Sequence, residues 1–390
     1  MGWCLPVFES DGYVELRTTP HGGRSLFAAR DIPLGTRIHA SPTPCAHVIY
    51  KDYRREVCAQ CFAYSASDLA PPEVNRSRVW SIKWSPEGPA ASAAWFCSED
   101  CRKAWEKDGT GSLQVQLDAI LIKAQVASRR KGKLVDVISP SIDPKEEITQ
   151  EVIDDAWKKI EVLAASKAQL AGFCVTLNLE DMELEIARYL ASAIVCRYVS
   201  EQLHVISGHD KHNSSMRSLW SHLLHLQDNE LANIRERPYI LSAHLRIYAF
   251  LCNALPEHLK PYLSSIRDVL ARDTGNAFGI WDGDHRDEML GWGMWTSASY
   301  FNHSMSPFSG GFSAVLDLTL LCVGCTPNIR KIRRARTLHF ETTRQVAAGE
   351  ELCISYVDTD QLLEQRRRDL RTSWFFTCSC SRCERESICG

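Results

Sequence analysis

No apolar run in the chain reaches the roughly 18 to 20 residues that a bilayer span requires, so no membrane-spanning segment is expected. The opening stretch Met1–Tyr13 lacks the basic start and long apolar core of a secretory signal. It begins Met-Gly, yet Pro6 stands where a myristoylation signal takes Ser or Thr. An excess of charge of one sign is missing as well. The 45 basic and 48 acidic residues leave a net charge of −3, which gives no global attraction to DNA or to anionic lipid. No internal repeat is visible. These absences leave a soluble protein of the nucleus and/or cytoplasm as the expectation, a monomer with neither membrane nor direct nucleic-acid contacts.

Cysteine, by contrast, is plentiful: the 390 residues contain 16. That length allows two or three domains with a substantial core. Inside a cell, close cysteine pairs point to metal rather than to disulfides. Half of the cysteines cluster in this way, as Cys58 and Cys61, Cys97 and Cys101, and Cys378, Cys380, Cys383 and Cys389. Others, such as Cys174, Cys196 and Cys252, lie singly in apolar surroundings and read as small core residues.

Residues 12–50 read as short strands, Gly12-Tyr-Val-Glu-Leu, Ser25-Leu-Phe-Ala-Ala and Thr36-Arg-Ile-His-Ala, punctuated at Gly22-Gly23, Pro33 and Gly35. Residues 113–272 are mostly helical. There Met182, Ile186, Leu190 and Ile194 recur every four residues as one apolar stripe. Ser128–Glu147, with four basic residues in Arg129–Lys133 and two prolines after them, reads as an exposed connection. From Asn276 short strands return, ending in Leu338-His-Phe-Glu-Thr, the turn Ala347-Ala-Gly, and a last strand Leu352-Cys-Ile-Ser-Tyr. The fold class expected is α+β: one β-rich domain interrupted by a cysteine module and a helical block.

Cys58-Ala-Gln-Cys61 and Cys97-Ser-Glu-Asp-Cys101 supply the number and type of ligands for one tetrahedral structural zinc. The separation of the pairs is long but allowed, because loop-closure entropy grows slowly with length. Arg102-Lys-Ala-Trp-Glu reads as helical, which puts Cys101 at a helix start. The C-terminal set, Cys378, Cys380 and Cys383, gives three thiolates within six residues. Spacing does not choose its fourth ligand among Cys389, Cys325 and Cys322.

Several segments together resemble one family. Gly23-Arg-Ser-Leu-Phe-Ala-Ala-Arg-Asp-Ile32 is similar to the first segment of SET domains, Tyr300-Phe-Asn-His-Ser304 to their Asn-His-Ser motif, and Gly349-Glu-Glu-Leu-Cys-Ile-Ser-Tyr356 to the second signature. Gly275-Asn-Ala-Phe-Gly-Ile and Gly291-Trp-Gly-Met-Trp-Thr-Ser-Ala-Ser match the approach to the Asn-His-Ser motif. Trp374-Phe-Phe-Thr-Cys-Ser-Cys-Ser-Arg-Cys383 resembles the post-SET zinc segment. With a cysteine module inserted after the first strands, the ordered set resembles the SET and MYND domain (SMYD-like) protein-lysine methyltransferases, in a short, fungal-like form. The resemblance implies SET strands at 12–50, a MYND-like zinc module at 58–105, a helical SET-I insert at 113–272, the C-terminal SET core at 273–357 and a post-SET segment at 360–390.

The sequence departs from that pattern twice. A MYND module usually carries eight ligands for two zincs. Here Cys58, Cys61, Cys97 and Cys101 match one site and the other is absent, since neither Cys nor His occurs from Phe62 to Phe96 or from Arg102 to Phe173. The family's motif also continues Asn-His-Ser-Cys-x-Pro-Asn, whereas Ser304 is followed by Met305, and Cys325-Thr-Pro-Asn328 appears downstream. Joining Ser304 to Cys325 restores the motif. Residues 305–324 therefore read as an insertion, either a retained intron in the gene model or an extra loop, and the resemblance makes Cys325 the fourth ligand of the post-SET zinc.

The implied activity is transfer of a methyl group from S-adenosylmethionine to lysine in a histone or non-histone protein. Such a transfer needs an aligned, neutral amine, and an apolar aromatic channel favours that form by desolvation. The resemblance makes Tyr356 the key hydroxyl, with nearby carbonyls offering weak C–H···O contacts. It places Gly23, Arg24, Leu26, Asn302 and His303 around the cofactor, and Trp374 and Phe376 against adenine or the lysine channel. Ser221-His222 is similar to a further cofactor contact, although a solvated helix histidine is the plainer reading. Arg330–Arg336 holds five basic residues in seven, as an exposed hairpin or a guide for an acidic peptide. A scaffold that keeps the fold without catalysis is the second reading. A zinc hydrolase is disfavoured, because the cysteine sets leave no open metal position.

Overall fold

The computed structural model describes residues 12–19, 23–65, 79–86, 92–129, 147–175, 177–206, 219–282, 288–303, 327–378 and 380–389. Its strands are β1 (Val14–Thr19), β2 (Gly23–Ala28), β3 (Arg37–Ser41), β4 (Ala46–Ile49), β5 (Ile82–Trp84), β6 (Ala94–Phe96), β7 (Phe278–Trp281), β8 (Met289–Met294), β9 (Ile329–Arg334) and β10 (Thr337–Thr342). They fall, with the helices, into two compact units.

The first unit comprises Met1–Thr43, Thr274–Asn276 and Trp295–Gly390. In it β1 and β2 pair antiparallel, from Val14 opposite Ala28 to Thr19 opposite Gly23. A second sheet has the order β3-β10-β9, antiparallel throughout, with a bulge between Phe340 and Glu341 where β10 meets β3. The inner face of this sheet carries Phe340, stacked on Phe301 at 4.1 Å, with His39 against both rings. The hairpin expected at Arg330–Arg336 is β9–β10, and its arginines share one acid: Glu341 accepts from Arg330 at 2.9 Å and Arg334 at 3.4 Å. The helices Leu363–Trp374 and Ser381–Cys389 complete this unit.

The second unit comprises Pro44–Asp273 and Ala277–Met294. Its sheet β4-β8-β7 is antiparallel, and β8 lies in the middle. A glycine is required at Gly291 in β8, because a Cβ there would lie 2.1 Å from the carbonyl oxygen of Val48 on β4. The cysteine module is the hairpin β5–β6 followed by the helix Glu99–Asp108. That helix starts where Ser98 caps the amide of Cys101 at 3.1 Å, and it stops at Gly109 in the left-handed region, φ 71°.

The helix Asp181–Ile206 differs from the single stripe expected of it. It packs on β4 and on the helices Thr110–Arg129, Tyr239–Ala254 and Ser265–Asp273. Ala187–Val195 is therefore buried around its whole circumference, whereas Met182 is exposed. Four charged side chains are tied together beside it: Arg54 reaches Asp118 at 2.9 Å and Glu185 at 3.1 Å, and Arg188 reaches the same two acids. Among the described residues, no helix is long and apolar enough to cross a membrane.

Candidate active site and thiol clusters

Residues 349–356 do not form the regular strand that their apolar pattern suggests. They run between two partners and hydrogen-bond briefly to each, so only isolated bridges result, Phe27 with Glu351 and His303 with Ile354. On one side, the amide of Gly349 donates to Ala28 at 2.7 Å and that of Leu352 to Leu26 at 2.8 Å. On the other, the amide of Ile354 donates to the carbonyl of Asn302 at 3.0 Å. The amide of Tyr356 then donates to His303 Nδ1 at 3.2 Å. Its hydroxyl donates to the carbonyl of Phe301 at 3.0 Å.

Aromatic rings pack against that of Tyr356. Trp374 stacks on Tyr356 at 5.3 Å, His303 lies at 5.5 Å, and Phe376 meets it edge-on at 6.5 Å. The intervening Phe375 closes the helix Leu363–Trp374 in the left-handed region, φ 61°, so the chain reverses between the two rings. Burial pushes the Tyr356 phenol well above its usual range, which keeps it neutral, and lowers His303 to about 4, which keeps it uncharged at pH 7. Electron-rich faces beside a half-buried tyrosine suit a cationic sulfonium.

The remaining residues expected around a cofactor are placed as follows. Asn302 Nδ2 reaches the carbonyl of Arg24 at 3.5 Å and a carboxylate oxygen of Glu351 at 3.4 Å. Arg24 is half-buried over the ring of Tyr300, and Gly23 begins β2 with φ 67°. Leu26 is fully buried, and its carbonyl accepts from the amide of Leu352. His222 lies in the second unit and is buried rather than solvated, which lowers it to about 4.

Two thiol sets come together. The sulfurs of Cys58, Cys61, Cys97 and Cys101 lie within 4.8 Å of one another. Cys97 is 3.6 Å from Cys61 and 3.5 Å from Cys101. Zinc–sulfur bonds of about 2.3 Å in a tetrahedron put sulfurs about 3.8 Å apart, so this set fits the ion. The thiol of Cys61 and backbone amides aimed at Cys58 hold it below the usual thiol range. Cys378, Cys380 and Cys383 form the second set, fully buried and likewise within 4.8 Å. Cys325 and Cys322, with the whole of 304–326, lie outside the described residues, as does the side chain of Cys389.

Two residues that the sequence did not single out brace these sites. Asn328 is buried, accepts from the amide of Cys353 at 2.8 Å and donates to the carbonyl of Glu351 at 2.8 Å, which fixes the segment leading to Tyr356. Its position in the Cys325-Thr-Pro-Asn328 motif was the available signal. Arg366 is 1 % exposed and reaches Cys383 Sγ at 3.7 Å. Nothing in the run Arg366-Arg-Arg distinguishes it from its neighbours.

Residues 187–357 match the SET domain family. Across 97% of both chains it is 27% identical to a protein of Saccharomyces cerevisiae named potential protein lysine methyltransferase SET6. A Dictyostelium discoideum SET and MYND domain-containing protein is 29% identical over 31% of this chain and 26% of its own length. The mouse histone-lysine N-methyltransferase SMYD3 is 29% identical over 30% of this chain and 22% of its own. The chain is therefore similar to SMYD-like SET proteins.

Proposed function

We propose that this protein is an S-adenosylmethionine-dependent protein-lysine N-methyltransferase acting on histone or non-histone proteins. The observation that carries the reading is the Tyr356 hydroxyl, anchored on the Phe301 carbonyl at 3.0 Å within the ring set of His303, Trp374 and Phe376. S-adenosylmethionine, when bound, supplies an electrophilic methyl group on a positively charged sulfur. Gly23, Arg24, Asn302, His303, Trp374 and Phe376 would hold it, with the Arg24 guanidinium suited to a carboxylate.

Each protein group has a defined task in this reading. A lysine in solution is mostly charged. The aromatic wall disfavours that form by desolvation, and the neutral amine that remains takes its orientation from the Tyr356 hydroxyl. The neutral phenol is no base, so the amine loses its proton to water before transfer. Zinc at Cys58, Cys61, Cys97 and Cys101, and at Cys378, Cys380 and Cys383 with Cys325 as the expected fourth ligand, would hold these segments folded rather than react.

Calorimetry with S-adenosylmethionine and with its demethylated product tests the reading, followed by methylation of a protein array read by mass spectrometry. Micromolar binding and lysine-methylated products are expected. Failure of the folded, zinc-loaded protein to bind either compound overturns the enzyme in favour of a scaffold, the reading that Met305 at the family's cysteine position favours.

A further inference from the structure

Arg366 is the most deeply buried arginine of the first unit, at 1 % side-chain exposure, and the methyl-transfer chemistry makes no use of it. Burying a guanidinium without compensation is costly, so its partners indicate what it is for. One terminal nitrogen donates to the carbonyl of Gln361 at 2.5 Å, in the turn before its own helix. The other reaches Cys383 Sγ at 3.7 Å and pairs with the carboxylate of Glu386 on the last helix. The next residue, Arg367, donates to the backbone carbonyl of Cys383 at 3.2 Å. Two consecutive arginines thus converge on one cysteine.

A charge argument gives this arrangement a purpose. Three thiolates on a divalent ion carry one net negative charge, and four carry two, in a cluster whose described cysteines are fully sealed from water. The only other acid in the described contacts of Arg366, Glu386, is also paired with Arg382 at 2.7 Å, so it does not use up the Arg366 charge alone. Arg366 supplies a buried positive charge at the sulfur itself, in the fork geometry that a lysine lacks. The same helix ends in Trp374, and the chain returns through Phe376 to Cys378, so the fixed end of Arg366 also fixes two of the rings facing Tyr356.

We propose that Arg366 is a positioning residue that neutralises the metal-bound C-terminal thiolates through Cys383, and thereby holds Trp374 and Phe376 against Tyr356. The proposal rests on the reading that this set binds zinc. Outer-shell partners of metal ligands change metal affinity about 10- to 100-fold, and the loss should fall in that range.

The test is zinc release from the purified full chain, followed with a chromogenic chelator, in the wild type and in Arg366→Met, Arg366→Lys and Glu386→Gln. The Arg366→Met protein should release one zinc equivalent about 10- to 100-fold faster, while the equivalent held by Cys58, Cys61, Cys97 and Cys101 stays, which also shows that the chain remains folded. Arg366→Lys should fall in between. Glu386→Gln separates the alternatives: if Arg366 serves the thiolates, removing the acid leaves release unchanged or slower. If the arginine matters only as half of an ion pair, Glu386→Gln speeds release as much as Arg366→Met does, and the proposal is overturned. Equal release from the wild type and Arg366→Met overturns it too. A wild type whose zinc content is unaffected by Cys380→Ser would instead show that the C-terminal set binds no zinc, a failure of the underlying reading.

Discussion

Replacing Tyr356 with Phe removes one oxygen and leaves the ring. Two quantities then separate, because the hydroxyl has one described partner, the Phe301 carbonyl at 3.0 Å, whereas the ring contacts to Trp374, His303 and Phe376 persist. Losing one ordinary hydrogen bond lowers folding stability by about 1 kcal/mol, which leaves the population of folded protein essentially unchanged. Losing the oxygen that orients the reacting amine lowers the rate by about 100-fold, or about 3 kcal/mol of barrier. The expected result for Tyr356→Phe is therefore a small drop in melting temperature, cofactor affinity within about threefold of wild type, and a collapse in turnover. Initial rates with labelled S-adenosylmethionine, calorimetry and thermal melting on the same preparation measure all three. A variant that transfers methyl groups within threefold of the wild type would falsify the assignment. A variant whose rate falls only in step with its cofactor affinity would move the hydroxyl from orienting the amine to holding the cofactor.

Three further outcomes are expected. Asp118→Asn leaves Arg54 and Arg188 short of an anion in a largely buried network, so urea denaturation should show a loss of about 3 kcal/mol; a change below about 1 kcal/mol would show the network to be solvent-relieved. Burial lowers His39 to about 4 from 6.5, so between those values the unfolded chain holds a proton that the folded chain does not. Its contribution is intact above pH 6.5 and falls as pH drops toward 4, by about 2 kcal/mol at pH 5; His39→Gln should flatten the decline in urea midpoint between pH 7 and pH 5, and an unchanged slope would refute the sign. Cys97→Ser should remove one of two zinc equivalents per chain by elemental analysis, and loss of none would exclude zinc at that set.

The thiol sets were legible because their logic is local. Cys58 and Cys61, or Cys97 and Cys101, are close in sequence, and the ligand count needs no fold to be read. The same holds for β2, β10 and the helix carrying Cys101, whose cap Ser98 and stop Gly109 sit in the sequence itself. Illegible features depend on what lies opposite. Leu352–Tyr356 alternates like a strand, but its neighbours Leu26 and Asn302 are set by distant chain, and they pair with it too briefly for a ladder. Met182 shares a period with Leu190, yet only the elements packed around Asp181–Ile206 decide that the first is exposed and the second sealed. His222 has no local mark of burial, and Arg366 sits among arginines of identical character. The proposed catalytic pairing is invisible for the same reason, since the acceptor for Tyr356 is a backbone carbonyl, which every residue possesses.

The run of residues 349–356 between β2 and 302–303 has a consequence for how the protein is made. Leu26 waits for Leu352, so a ribosome adds about 320 residues, at roughly 5 to 20 per second, before that pairing is possible. For some 15 to 60 seconds the inner edge of β2 is open, and no portion of the Tyr356 site can exist. The site thus forms only after the whole of the second unit has been made. Slow translation or premature release yields protein with its helical unit complete and an unsatisfied strand edge, the kind of species that chaperones capture.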